Sequence, residues 1–193
     1  MRYLSFRTSI RVHVSLFLVL AITALSFVPY LTTKANAGTF TPAKVTISDS
    51  RAGHASTTYD FAYTTTVTTS IKQFDVVFCT TASGACTTPT GIVTTGATRA
   101  SDNVAGTGRT DTFTGNGTLS TVVTTPSSQS TQAVTVSYTG ITNPTTTNTT
   151  FFARVTTYSD TGSTVIDSAS VAFATLTTTS IAVSASVDPT FTF

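Results

Sequence analysis

The feature that most constrains the fold is a repeated alternation of apolar and polar residues in short runs separated by turn residues. In the run at residues 71–79, Phe74, Val76 and Phe78 occupy every second position. Successive side chains of an extended strand point to opposite faces, whereas an amphipathic helix repeats every three to four residues. The alternation therefore predicts β-strands with one apolar face and one face that is mostly polar.

The same alternation recurs along the chain at spacings that are typical of a sandwich. The other runs are residues 44–48, 57–66, 110–114, 118–124, 131–139, 150–158, 164–176 and 180–187. Threonine, which is β-branched and suits a pleated surface, is abundant in them. We expect an all-β protein, an antiparallel β-sandwich that is broadly immunoglobulin- or fibronectin-like, with a closed barrel as the alternative. Residues 96–108, rich in Ala, Gly and Asn, predict a long loop or an irregular edge.

The first 37 residues have the pattern of a signal peptide. Arg2, Arg7 and Arg11 precede an uncharged, mostly apolar run at residues 15–28, and the sequence Ala-Asn-Ala at 35–37 matches a cleavage site. We expect cleavage before Gly38, with residues 1–37 as the signal peptide and 38–193 as the β-sandwich domain. An uncleaved membrane anchor is the alternative. The run of residues after Pro189 alternates again, so the domain either continues further or closes its edge there.

The charge balance argues against a nucleic-acid partner. Four of the ten basic residues, and none of the eight acidic ones, lie within the first 37 residues. The remaining domain therefore carries a small net negative charge and has no cluster of Lys and Arg to neutralise phosphates.

Cys79 and Cys86 are the only cysteines, and a turn of small residues at 82–85 separates them. Strands that flank such a turn can bring two cysteines within bonding distance, and export to an oxidising compartment favours the bond. We predict a disulfide that stabilises the fold by about 2–3 kcal/mol. A zinc site is the alternative, but the spacing does not fit one and there is no second cysteine pair.

No constellation of catalytic residues stands out, so we expect a protein that is not an enzyme. The tetrapeptide at Asp160–Ser163 matches an aspartic-protease signature, but it occurs once and that chemistry needs two carboxylates. His54 is the only histidine after residue 37, and no G-x-S-x-G motif accompanies it. Loop aspartates could bind calcium, but none forms a dense set of oxygen ligands, so we expect no metal and no cofactor. These aspartates are Asp102, Asp111, Asp160 and Asp188.

The two most aromatic strands predict the centre of the core. The side chains predicted to face inward are Phe74, Val76 and Phe78 on the first strand and Phe151, Ala153 and Val155 on the second. The second strand could instead direct Phe152 and Arg154 inward, but burying an unpaired arginine is costly. We expect the two strands to face each other across the sandwich.

Four stretches together resemble Thr-rich secreted proteins of genome-reduced candidate-phylum bacteria. They are VTISDSRAG at Val45–Gly53, FCTTASGACTTPTG at Phe78–Gly91, ITNPTTTNTTFFARVTTYSD at Ile141–Asp160 and VSASVDPTFTF at Val183–Phe193. The resemblance implies an exported β-domain on the cell surface, often followed by further sequence. It supplies no activity and no functional residues.

Export, the all-β composition and the lack of a catalytic constellation favour a secreted or cell-surface structural or interaction module. Such a module would be an envelope component, an appendage subunit or an adhesin domain, and its partner a cell-surface protein or glycan. Contact with the membrane is expected only through the signal segment if it stays uncleaved. The alternative is a carbohydrate-binding module, for which the aromatic candidates are Tyr59, Tyr63, Tyr138 and Tyr158.

Overall fold

The computed structural model describes residues 38–39, 43–65, 68–115, 117–129 and 133–177, which form ten β-strands and no helix. The strands are β1 (Gly38–Thr39), β2 (Ala43–Ile47), β3 (Thr57–Thr64), β4 (Gln73–Cys79), β5 (Thr98–Asp102), β6 (Gly106–Thr114), β7 (Thr118–Pro126), β8 (Ala133–Ile141), β9 (Thr149–Tyr158) and β10 (Val165–Thr175). Within these ranges, no helix has the length and apolar character needed to cross a membrane. The predicted signal peptide and the strand predicted at 180–187 lie outside the described residues.

The strands form two sheets. The larger sheet has the order β1-β10-β9-β4-β7-β6, and the smaller has the order β2-β3-β8-β5. Every pairing is antiparallel except the short parallel contact between β1 and β10. The prediction of an all-β, sandwich-like fold with antiparallel sheets is confirmed.

Burial alternates along the strands because each sheet turns one face to the other sheet. Along β3, Tyr59, Phe61 and Tyr63 are buried while Asp60 between them is exposed. Just before β7, Gly117 has a φ of 73°, which a glycine adopts without strain. The alternation in the sequence of β3 thus corresponds to one buried face and one more exposed face.

Phe78 lies at the centre of an aromatic cluster that joins the sheets. Its ring is 5.2 Å from Tyr59 of the smaller sheet and 5.7 Å from Phe173 of the larger one, both edge to face. Phe74, Val76 and Phe78 are all buried, as predicted. Edge-to-face packing of this kind adds to the stability that burial alone provides.

The prediction of which strand faces β4 across the sandwich is wrong. We predicted that β4 and β9 face each other across the sandwich, but they are neighbours in the same sheet, with Val76 opposite Val155. The face that meets β4 is provided by aromatic residues of β3 and β8, such as Tyr59 and Tyr138. The physical reason is that the inward side chains of adjacent strands extend one apolar surface, so two aromatic strands need not oppose each other.

The predicted register of β9 is confirmed. Phe151 and Val155 are each 3% exposed and Ala153 is fully buried, whereas Phe152 and Arg154 are half-buried on the outer face. Directing Arg154 outward avoids the cost of an unpaired charge in the core.

Residues 96–108 form an irregular edge rather than a long loop. They contain β5 and the start of β6, and the pairing of β5 with β8 shifts register between Arg99 and Ser101. Such a bulge is common at sheet edges, where it interrupts a regular row of backbone hydrogen bonds.

Candidate functional site

The most prominent exposed feature is a loop closed by the predicted disulfide. Cys79 is buried at the end of β4, and its bond to Cys86 joins Cα atoms that are 5.1 Å apart. The backbone N–H of Thr80 donates to the carbonyl of Thr87 at 2.9 Å, so the base of the loop continues as a short hairpin. Residues 80–88 are all exposed. The disulfide prediction is confirmed, and the bond anchors an exposed loop to a core strand.

Arg154 holds this loop from the neighbouring strand. Its guanidinium Nη1 donates to the carbonyl of Gly84 at 2.7 Å, and its Nη2 donates to the carbonyl and the hydroxyl of Thr81, each at 2.9 Å. The Thr81 hydroxyl in turn donates to the carbonyl of Ala85 at 2.9 Å. A planar guanidinium presents several donors in a fixed fork, which suits it to fixing two carbonyls at once. The loop is therefore held both covalently and by Arg154.

A groove of about 390 Å³ lies between the loop and the outer face of β9 and β10. Its polar lining combines the Arg154 side chain with four hydroxyl groups. These hydroxyls belong to Ser83, Thr156, Ser168 and Ser170. The Arg154 guanidinium can donate hydrogen bonds to a polar ligand or to a partner's backbone, and the hydroxyl groups can both donate and accept them. The lining contains no histidine, cysteine or carboxylate side chain.

His54, the histidine singled out in the sequence, contributes to a loop contact. Its Nε2 is 3.3 Å from a carboxylate oxygen of Asp49, and its Nδ1 is 3.3 Å from the Thr57 hydroxyl. Thr57 is fully buried, which prevents a substrate from reaching its hydroxyl. Arg51 also pairs with Asp49 at 2.7 Å, and this hydrogen bond is the main cause that lowers the pKa of Asp49 to about 2. The arrangement resembles a catalytic triad only in its residue types.

Asp160 is a turn residue. Its Oδ1 accepts hydrogen bonds from the backbone N–H groups of Ser163 and Thr164, each at 2.8 Å, and its Oδ2 accepts from the Thr164 hydroxyl at 2.7 Å. These bonds, led by those from Thr164, lower the pKa of Asp160. Among the described residues, no group of three or more His, Cys, Asp or Glu side chains could hold a metal ion.

Three of the four tyrosines considered for sugar binding belong to the core. Tyr59 and Tyr138 are fully buried and Tyr63 is 3% exposed. The Tyr59 hydroxyl donates to Asn143 at 2.6 Å, and burial raises its pKa above the ordinary value. Only Tyr158 is half-buried on the outer face of the larger sheet. These four residues therefore do not form an exposed aromatic platform.

Sequence reasoning did not identify a charge cluster at the edge formed by β5 and β6. Asp102, whose side chain is 3% exposed, pairs with Arg99 at 2.7 Å and with Arg109 at 2.8 Å. Arg99 also pairs with Asp111 at 3.1 Å. Asp102 and Asp111 had been considered as possible calcium ligands, and the structure gives both of them arginine partners. Because β5 and β6 belong to different sheets, the cluster joins the two sheets at this edge.

Comparison with known proteins gives no relative: no family model, no curated protein and no solved structure matches the chain.

Proposed function

We propose that this protein is an exported, non-catalytic structural or interaction module of the cell surface, with an immunoglobulin- or fibronectin-like sandwich as its scaffold. The observation that carries the proposal is the exposed loop that the disulfide and Arg154 hold in place. A disulfide is stable in an extracytoplasmic compartment and rare in the cytosol. A loop that is already ordered loses little conformational entropy when it binds, which favours its use as a contact surface.

The contacts of the candidate catalytic residues support a non-catalytic role. His54 and Asp49 connect parts of one loop, and Asp160 caps the turn before β10. Each of these three side chains thus has a structural partner, and none of them lines the groove beside Arg154. The partner would be a cell-surface protein or glycan that contacts the disulfide loop.

The carbohydrate-binding alternative has one observation in its favour, the groove beside Arg154. Its hydroxyl groups and its guanidinium could hydrogen-bond a sugar, although no tyrosine stacks over it. This alternative therefore locates the sugar at the disulfide loop and not on the tyrosines suggested by the sequence.

A binding experiment tests the proposal and separates the two partners. The labelled full-length chain would be added to isolated envelopes of the source cells, either untreated, treated with protease, or oxidised with periodate to destroy glycans. We expect the chain to bind untreated envelopes and Ser83→Arg, which places a bulky charge in the groove, to reduce binding. Ser127→Arg, at an exposed residue outside the loop and groove, is the matched control and should bind like the unaltered chain.

Loss of binding after protease treatment would indicate a protein partner, and loss after periodate a glycan. Equal binding of the Ser83→Arg and Ser127→Arg variants would contradict the assignment of the loop as the contact surface. A chain that is found only in the cytosol of the source cells would contradict the proposed location.

A further inference from the structure

Arg154 is the one arginine of the described ranges that has no carboxylate partner there. Each of the other three arginines pairs with an aspartate; they are Arg51, Arg99 and Arg109. Arg154 instead donates only to uncharged groups, which are the carbonyls of Thr81 and Gly84 and the hydroxyl of Thr81. The loop therefore orients the positive charge of Arg154, but no ion pair within the described part of the chain neutralises it.

The guanidinium of Arg154 also keeps one hydrogen-bond donor for a ligand. A guanidinium has five N–H groups, one on Nε and two on each Nη. Nε and Nη2 both donate to the carbonyl of Thr81, and Nη2 donates in addition to the Thr81 hydroxyl. Nη1 donates to the carbonyl of Gly84 at 2.7 Å, which leaves its second N–H without an acceptor among the described residues. Because the loop already fixes the guanidinium, a ligand that accepts from this N–H requires little further ordering of the side chain.

Hydroxyl groups surround this charge on the outer face of β9 and β10. Ser170 lies opposite Arg154 in the pairing of the two strands, and Ser168 lies opposite Thr156. The Cβ atoms of such cross-strand neighbours are about 5 Å apart, and alternate residues along one strand are about 7 Å apart. Ser83 of the disulfide loop lines the groove as well. One cation and four hydroxyl groups thus lie close enough together to contact a single small ligand.

The charges around the groove favour an anion. The carboxylate on the neighbouring strand β4, Asp75, lies opposite Thr156 but does not line the groove. Both of its oxygens accept hydrogen bonds from Nε2 of Gln73, at 2.9 and 3.0 Å. Since residues 38–193 carry a small net negative charge, an anion is not attracted by a general positive field of the domain. An anion that binds in the groove therefore does so through Arg154.

We propose that the groove binds an acidic sugar, with the carboxylate of a uronic acid accepting the free Nη1 N–H of Arg154. The sugar's own hydroxyl groups would then hydrogen-bond the four hydroxyl side chains of the lining. A hydrogen bond between a guanidinium and a carboxylate is charge-assisted and stronger than one between neutral groups. The groove volume of about 390 Å³ lies within the range of about 300–1,000 Å³ that is typical of small-ligand sites.

The lining favours a sugar over an acidic peptide. Every hydroxyl group of the lining can donate and accept, which matches the hydroxyl groups of a sugar, because these also do both. A peptide that binds as an extended strand uses free backbone groups of its partner. The loop carbonyls of Thr81 and Gly84 already accept from Arg154. An acidic peptide is therefore the competing result of the test.

This inference rests on the proposed interaction role of the disulfide loop and names the class of its ligand. The two are tested by different measurements, the inference with defined sugars and the proposed function with isolated envelopes. If envelopes bind the chain and Ser83→Arg, whose size fills the groove, reduces that binding, the loop remains the contact surface even if acidic sugars do not bind. If envelopes do not bind the chain, the proposed function is wrong whatever the defined sugars do.

Calorimetric titration of the full-length chain tests whether the ligand's charge matters. The probes are oligogalacturonate and oligoglucuronate, each compared with its fully methyl-esterified form, which keeps the sugar hydroxyls but has no charge. We expect at least one charged oligomer to bind. Its methyl ester should bind at least about tenfold more weakly, which corresponds to the loss of one charge-assisted hydrogen bond.

A pair of variants at Ser170 tests whether the carboxylate binds at Arg154. Ser170→Asp places a carboxylate opposite Arg154, where it would replace that of the ligand and weaken binding of the charged oligomer at least about tenfold. Ser170→Asn has a similar size but no charge, so it is the matched control and should change the affinity by less than about threefold. Ser170 is exposed, so both variants should fold, which circular dichroism checks. Arg154 itself stays unchanged in this test, because replacing it would also release the loop.

Three results would overturn the inference. They are equal affinities for the charged and the esterified oligomers, no binding of either charged oligomer, and equal effects of Ser170→Asp and Ser170→Asn. A short aspartate peptide of the same charge that binds more tightly than both oligomers would also overturn it, and would assign the groove to an acidic protein partner.

Discussion

At the scale of single residues, stability depends on which side chains face the gap between the sheets. Phe78 contacts rings from both sheets, and Phe151 is buried against Phe173 at a centroid distance of 5.9 Å. Phe152, one position later, lies half-buried on the outer face. Neighbouring phenylalanines on one strand therefore have different roles.

Truncation of these phenylalanines should reflect that difference. Phe78→Ala should lower the free energy of unfolding by about 3–5 kcal/mol, since it leaves a cavity in the aromatic cluster. Phe151→Ala should cost clearly more than Phe152→Ala, as judged by denaturant unfolding of the three variants. A larger loss for Phe152→Ala would mean that β9 is shifted by one residue.

Asp49 should titrate well below an ordinary aspartate. Hydrogen bonds from the Arg51 side chain, and then from the Arg51 backbone N–H, lower its pKa from 3.8 to about 2. Because the folded-state pKa is the lower one, the contribution of Asp49 to stability is present above pH 4 and is lost as the pH falls towards 2. Carbon-detected NMR titration of the carboxyl group measures this pKa.

The Arg51→Gln variant provides the control for that titration. It should raise the pKa of Asp49 towards 3.8, while the lowered pKa of Asp160, which depends on Thr164 and Ser163, should not respond. A pKa of Asp49 that is insensitive to Arg51→Gln would contradict the assigned cause.

At the scale of elements, the disulfide loop combines a covalent closure with a long-range contact. The bond between Cys79 and Cys86 closes a sequence separation of seven residues, whereas Arg154 reaches Thr81 from a position 73 residues away. The two restraints act on different properties: the bond restricts the unfolded chain, and Arg154 orders the folded loop.

Removing the disulfide should weaken the fold without abolishing it. The double variant Cys79→Ser, Cys86→Ser should lose about 2–3 kcal/mol of unfolding free energy, because the remaining strands still define both sheets. Arg154→Gln, which keeps the bond, should raise hydrogen exchange in residues 80–85 and leave exchange in β4 unchanged. Unfolding of the whole domain by the double variant would show that the bond is required for the sheets themselves.

The sequence was sufficient to predict the local features of these elements, but it was not sufficient to predict which elements lie next to each other. Alternation assigned the inward faces of β4 and β9, and the cysteine spacing predicted the bond, because both signals lie within one short segment. The contact of Arg154 with Gly84 could not be predicted, since the order of strands in a sheet brings it about. The prediction that β4 and β9 face each other across the sandwich was wrong for the same reason: alternation carries no information on which strands are adjacent.

The irregular edge shows a further limit of prediction from the sequence. Residues 98–102 have little apolar character, so their alternation is weak, yet β8 provides a paired backbone and Asp102 is fixed by two arginines. Tertiary contacts override a weak local preference in such a segment.

At the scale of the whole molecule, the two sides of the sandwich and the outer face of the larger sheet differ in chemical character. One side of the sandwich joins β5 and β6 through paired charges, and on the opposite side β2 packs against β10 beside half-buried hydrophobic residues. The outer face of the larger sheet carries the disulfide loop and the hydroxyl-lined groove. We therefore expect a partner to contact the disulfide loop, whereas the aromatic core provides stability.

The proposed function requires that the folded domain is exposed outside the cell with its disulfide intact. Mass mapping of peptides released by protease from intact source cells, without reductant, tests it most directly. We predict that Cys79 and Cys86 are recovered in the oxidised, bonded form and that the released chain begins at Gly38. Recovery of the chain only after cell lysis, with both thiols free, would contradict the account.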